Sequence, residues 1–235
     1  MKRIISLLAS LTLFERILWG VSVFSVILSY IISPSGDYLT VIASVIGLSA
    51  LIFVAKGYVI GQILIVIFSV FYGIISYHFQ YYGEMITYLC MSTPIAILAV
   101  ISWLKNPFGK TKQVRVNRMS PRQILIMLIL GIGVSAAFYF ILKELGNANL
   151  LTSVFSVFTS FIAAYMTFMR SPFYALGYAT NDIVLIILWV MASIEDVSYV
   201  PMVICFLMFL INDTYGFISW QRMAKHQAMF YDEDL

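Results

Sequence analysis

Charge is what this sequence has least of. Asp, Glu, Lys and Arg make up only 11% of its 235 residues, against about 25% in soluble domains. So few charges could not solvate the surface of a soluble globule of this length. Histidine is scarcer still: His78 and His226 fall at the edge of an apolar segment and in the C-terminal tail. An intramembrane Ser–His protease or a HExxH metalloprotease therefore has no base and no ligand set. The two cysteines, Cys90 and Cys205, lie inside apolar runs without partners at metal-ligand spacing, and read as small buried side chains. There is no Walker A sequence for ATP hydrolysis and no row of arginines for a voltage sensor. Net charge is a modest +3, so nucleic acid is not an expected partner. The chain reads as a non-enzyme with no metal site, no cofactor and no catalytic residue.

What is abundant is apolar surface: 62% hydrophobic residues, with aromatics at 16%. A helical membrane span needs about 20 such residues. Eight segments qualify, at 17–33, 38–55, 59–79, 84–103, 122–142, 150–168, 173–193 and 199–220. Turn chemistry separates them, as in Ser33-Pro34-Ser35-Gly36-Asp37, Lys56-Gly57, Tyr82-Gly83-Glu84, Gly146-Asn147 and Ser171-Pro172. At the N-terminus Lys2 and Arg3 precede an apolar stretch, Ile4 to Phe14, which Glu15 and Arg16 interrupt, and no small-residue cleavage site follows. Residues 4–14 read as an interfacial amphipathic helix, or an extension of the first span, on the cytoplasmic face. The fold class expected is an all-α membrane protein of eight transmembrane helices in a lipid bilayer.

With the N-terminus inside, 13 of the 14 Lys and Arg residues fall in cytoplasmic segments and only Lys143 lies outside. The positive-inside rule then puts both ends in the cytoplasm. The longest connection, 104–121, carries five of these basic residues, which are expected to meet water and anionic head groups.

Two short matches indicate an internal repeat. Gly57-Tyr58-Val59-Ile60-Gly61-Gln62-Ile63 resembles Gly177-Tyr178-Ala179-Thr180-Asn181-Asp182-Ile183, and Ile101-Ser102-Trp103-Leu104-Lys105 resembles Ile218-Ser219-Trp220-Gln221-Arg222. Their order and sidedness agree. The organisation implied is 1+3+1+3: an N-terminal segment and extra span (1–33), a three-helix bundle (38–103), a cytoplasmic loop and linker span (104–142), a second bundle (150–220) and a tail (221–235). Two parallel repeats about an axis along the membrane normal make a SWEET-like arrangement, with substrate between the halves near the midplane.

Polar residues inside spans are costly and mark function. Asp182 lies about nine residues into the seventh span and Asp213 about fourteen into the eighth, near mid-bilayer at about 1.5 Å per residue. Asn181 and Asn212 accompany them, and Gln62 takes the equivalent place in the first half. Helical spacing puts Asp182 and Trp189 on one face. It puts Asn212, Tyr215 and Ser219 on one stripe, with Asp213, Gly216 and Trp220 on its neighbour. Carboxylates beside Trp and Tyr suit a flat aromatic cation. The alternative is that these groups tie helices together, as in a non-transporting membrane scaffold. A proton-coupled symporter is a further variant, since either Asp could titrate.

At these residues the chain resembles the PnuC family of bacterial vitamin transporters. Asn212-Asp213-Thr214-Tyr215-Gly216-Phe217-Ile218-Ser219-Trp220 is similar to the family's Asn-x-x-Tyr-Gly-x-x-x-Trp. Val54-Ala55-Lys56-Gly57, the Tyr82-Gly83-Glu84 turn and the Asn181-Asp182…Trp189 span also resemble members from Gram-positive bacteria. Ser92-Thr93-Pro94-Ile95 departs from the pattern, standing where many members carry a second Asn-x-Tyr-Gly. The resemblance implies facilitated diffusion of nicotinamide riboside, with thiamine or another aromatic vitamin as alternative cargo. It further implies a homotrimer in the bacterial inner (plasma) membrane and a cytoplasmic kinase that traps the vitamin by phosphorylation. The substrate ligands expected are Gln62, Asn181, Asp182, Trp189, Asn212, Asp213 and Tyr215.

Overall fold

The computed structural model describes residues 9–33, 38–78, 82–147 and 149–232. Regular structure among them is helical, apart from two single-residue bridges, Tyr58–Gln113 and Pro107–Val114. The helices are α1 (Leu13–Ile32), α2 (Tyr38–Ala55), α3 (Val59–His78), α4 (Tyr82–Lys105), α5 (Pro121–Glu144), α6 (Leu150–Phe168), α7 (Tyr174–Glu195) and α8 (Val200–Asp232). Seven are long and apolar enough to cross a membrane, and α3 contributes an apolar run over Val59–Ile74.

Two helix boundaries and one helix interior differ from expectation, each for a local reason. Most of the 4–14 segment lies outside the described residues, but α1 starts at Leu13 rather than at 17. Glu15, read above as an interruption, is the third residue of a capping box. Its Oε2 accepts from the Thr12 backbone N–H while its own N–H donates to Thr12 Oγ1. Helix α4 widens into a π-helical segment over Thr87–Ser92, where the Thr93 N–H reaches back to the Tyr88 carbonyl. Pro94 explains it, because proline has no N–H for the preceding turn and its ring crowds that turn's carbonyl. Helix α8 does not stop near Trp220 but runs on to Asp232. Its buried Gln227 clamps the 106–120 connection, accepting from the Val116 N–H at 2.8 Å and donating to the Val114 carbonyl at 3.0 Å.

Helix packing has a reciprocal pattern. Within the first half α2 packs on α3 and α3 on α4, and within the second α6 packs on α7 and α7 on α8. Across the halves α2 meets α8 and α4 meets α6, while α5 packs on α6, and α1 on α2 and α8.

The cross-half contacts end in matching latches. Ser102 Oγ and Trp103 Nε1 on α4 donate to the Phe168 and Thr167 carbonyls at the end of α6, both at 2.9 Å. Ser219 Oγ and Trp220 Nε1 on α8 donate to the Ala55 and Val54 carbonyls at the end of α2, at 2.7 and 2.8 Å. The two indole rings meet with centroids 5.3 Å apart. Just beyond these acceptors the chain turns through a left-handed residue in each half, Gly57 (φ +70°) and Arg170 (φ +57°).

Glycine allows the middle helix of each half to lie close on the first. A Cβ at Gly61 would stand 2.5 Å from the Val54 backbone nitrogen, and one at Gly177 would stand 3.1 Å from Ala163 Cα. Gly177 therefore matches Gly61, and Gly57 matches Arg170, so the Gly57–Gly177 pairing read from sequence is four residues out of register. Since the Val54 backbone cannot move aside, Gly61→Ala should destabilise the fold by about 1–3 kcal/mol. Thermal unfolding in detergent measures it, and an unchanged midpoint would refute the close approach.

Helix α1 is fastened by a buried charge. Glu15 accepts Lys56 Nζ at 3.0 Å and the Tyr215 hydroxyl at 2.8 Å, tying α1 to α2 and α8. Outward faces are apolar, as along α5, where Leu125, Ile129, Ile132 and Phe140 are exposed.

Candidate functional site

The site begins with carboxyl groups that have no cation. Asp182 sits eight residues into α7 and Asp213 seven residues before Trp220 on α8. At about 1.5 Å per residue Asp182 lies about 12 Å from the start of α7, and Asp213 about 10 Å along α8 from Trp220. The two carboxyl groups adjoin and interact. Both residues are buried, each 3% exposed, and Asp182 Oδ2 is a buried oxygen with no hydrogen-bond partner among the described residues. An unpaired buried acceptor is expensive, so such a group points to an occupant the protein does not supply.

They open on a cavity of about 210 Å³ between the halves, bounded by α2, α3, α4, α6, α7 and α8 with the end of α5. Its charged lining residues are Glu84, Asp182 and Asp213, and no lysine, arginine or histidine lines it among the described residues. The aromatic lining is Phe68, Tyr72, Tyr88, Tyr174, Tyr178, Phe206 and Phe209. Phe68, Tyr72 and Tyr88 pack on one another, with the two tyrosine rings 4.6 Å apart.

Three carboxamides line this space, those of Gln62, Asn147 and Asn181. Asn181 is oriented by α6, because Ser156, Thr159 and Ser160 hydroxyls all donate to its Oδ1 at 3.3, 2.7 and 3.0 Å. Gln62 on α3 lines the opposite wall, 2% exposed. A cavity with three acids, three amides and stacked rings can bind a flat cation bearing hydroxyl groups. Among the described residues it offers no cationic side chain to hold a phosphate.

Comparison with known proteins identifies the family. A sequence model of the nicotinamide mononucleotide transporter family matches residues 37–222. The chain belongs to this family, the PnuC transporters. It is 25% identical over 205 residues to the nicotinamide riboside transporter PnuC of Neisseria mucosa, covering 85% of this chain and 77% of that protein. A crystal structure of the vitamin B3 transporter PnuC shares the fold, with a TM-score of 0.78 and 24% identity over 93% of this chain and 94% of that one. The PnuC chain described here is accordingly a membrane transporter and not an enzyme.

Among the residues singled out from sequence, Gln62, Asn181, Asp182 and Asp213 line the cavity. The other three lie elsewhere in this PnuC protein. Asn212 Nδ2 donates to Ser22 Oγ at 2.9 Å and to the Met208 carbonyl at 2.7 Å, turned toward α1. Tyr215 binds Glu15 and packs on Phe14. Trp189 packs on Tyr199 beside the 3₁₀ turn that precedes α8. On α8 Asn212 and Tyr215 thus face α1, while Phe206, Phe209 and Asp213 face the cavity.

Sequence reasoning missed Glu84, the tyrosines and the hydroxyl row on α6. Ser153, Ser156, Ser160 and Thr167 all line the cavity. Their spacing of three, four and seven is a helical stripe that was readable. Glu84 was hidden by its place in an apparent turn.

Proposed function

We propose that this protein carries nicotinamide riboside across the bacterial cell membrane by facilitated diffusion, binding it in the acidic aromatic cavity. Nicotinamide riboside is a pyridinium cation joined to an uncharged ribose. The observation that carries this reading is a cavity with three carboxyl groups, stacked tyrosines and, among the described residues, no basic side chain. The ring would lie among Tyr88, Tyr174 and Tyr178 near Asp182 and Asp213, drawn by cation–π and charge attraction. Gln62 and Asn181 would take the ribose hydroxyls. The name of the Neisseria mucosa relative supports this cargo over the mononucleotide, whose phosphate would face only acids.

The proposed architecture is 1+3+1+3: α1 as an addition, α2–α4 and α6–α8 as parallel SWEET-like units, and α5 as linker. Reciprocal packing of α2 on α8 and α4 on α6 supports it, as do the paired Ser–Trp latches and the paired left-handed turns. Rocking of the units about the cavity would give alternating access. The distribution of basic residues supports cytoplasmic termini. Family resemblance supports a homotrimer and a cytoplasmic kinase that traps the product.

Uptake of labelled riboside into proteoliposomes should saturate, need no ATP and be indifferent to a pH gradient. Accumulation that follows an imposed proton gradient would refute uniport, and no uptake would refute the cargo.

A further inference from the structure

Glu84 is the acid for which the central site has no use. It lies in the first turn of α4, at the end of the cavity away from the Trp latches, while Asp182 and Asp213 sit deeper on α7 and α8. The Tyr72 side chain lies beside its carboxyl group, and both line the cavity. Its Oε2 is a buried oxygen with no partner among the described residues, in a cavity that no cation lines. Tyr88 stands between the two acidic regions, near enough to feel both Glu84 and Asp182. The packed rings of Phe68, Tyr72 and Tyr88 thus form a continuous aromatic wall from Glu84 inward.

The local backbone is built to hold Glu84 there. Gly83 lets the end of α5 close over it, since a Cβ would stand 2.8 Å from Leu142 and 3.2 Å from Asn147 Oδ1. The Thr87 hydroxyl donates to the Gly83 carbonyl at 2.9 Å. Thr87 opens the π-helical segment that carries Tyr88, so the widened turn and the acid belong to one wall. Asn147, which lines the same end of the cavity, is fixed through Nδ2 to Ser153 Oγ at 2.8 Å.

We propose that Glu84, with Tyr72 and Tyr88, forms a second cation station at the outer end of the pathway and is a specificity-determining residue for a charged aromatic ring. The inference rests on the proposed transport of a pyridinium nucleoside. The ring is captured at Glu84, slides along the tyrosine wall and is handed to Asp182 and Asp213. Two stations of like chemistry let the cargo advance without crossing an apolar gap, and both exclude anions.

The test compares nicotinamide riboside with its dihydropyridine form, which has nearly the same shape and no ring charge. Initial uptake of each by the full chain is measured in right-side-out vesicles for wild type, Glu84→Gln, Glu84→Asp and Tyr72→Phe. Loss of one close charge is worth about tenfold in affinity. Glu84→Gln should raise KM for the cation about tenfold and change that for the neutral form less than about twofold. Glu84→Asp should fall between Glu84→Gln and wild type, and Tyr72→Phe should raise KM for the cation modestly. An unchanged KM for the cation in Glu84→Gln, or equal changes for both forms, would overturn the station while leaving the transporter reading intact. Wild-type vesicles that carry neither form would instead overturn the cargo, and this inference with it. If Glu84→Gln does not reach the membrane, an unaltered KM in both Glu84→Asp and Tyr72→Phe overturns the station.

Discussion

Replacing Asp182 and Asp213 together by asparagine should abolish transport and leave the protein as stable as before, or more so. Both carboxyl groups are buried, adjoin one another and face a cavity lined by no cation among the described residues. A buried charge without a counter-charge costs stability. Proteins keep such a cost where the site needs it. Asparagine keeps the shape and removes the attraction for a cation, a loss of about 2–4 kcal/mol, or roughly thirty- to a thousandfold in affinity. Thermal unfolding in detergent should show an unchanged or raised midpoint while riboside uptake falls to background. A scaffold in which these acids tie helices together predicts the reverse: lower stability, with no transport to lose.

Truncating either latch tryptophan should damage the fold itself. Trp220 is fully buried, packs on Trp103 and Tyr174, and donates to the Val54 carbonyl. Trp220→Ala leaves a cavity and an unpaired carbonyl, costing about 3–5 kcal/mol for the ring and about 1 kcal/mol more for the hydrogen bond. Trp220→Phe keeps much of the packing and loses the donor, so it should cost far less. Trp103→Ala should cost a similar amount, because its ring and its bond to the Thr167 carbonyl repeat the same geometry. Yield and unfolding midpoint report on both. A strong asymmetry between Trp103→Ala and Trp220→Ala would count against the two-unit architecture.

How far the sequence led depends on which face of a helix is in question. Span positions were legible because a bilayer demands long apolar runs, and segments such as 38–55 and 150–168 coincide with α2 and α6. The Ile-Ser-Trp match was legible because the two copies make the same contacts. The Gly57–Gly177 match misled, since Gly57 serves a left-handed turn and Gly177 a close helix contact. Placing an acid at mid-span needed only counting along the helix. Which stripe faced the cavity was hidden, because Asn212 and Asp213 are adjacent and about 100° apart around α8. Only the packing of α1 decides that Asn212 and Tyr215 turn to Ser22 and Glu15. Glu15 looked like a break in an apolar run because the cap that uses it lies before the helix.

On this reading the cavity takes a cationic nucleoside and refuses its phosphate ester. Calorimetric titration of the purified protein with nicotinamide riboside, nicotinamide mononucleotide and thiamine tests it most directly. A phosphate dianion set among three carboxyl groups should lose at least about 3 kcal/mol, or over a hundredfold in affinity. Saturable binding of the riboside, weaker binding of thiamine and no measurable binding of the mononucleotide are expected. Mononucleotide binding as tight as riboside binding would contradict it.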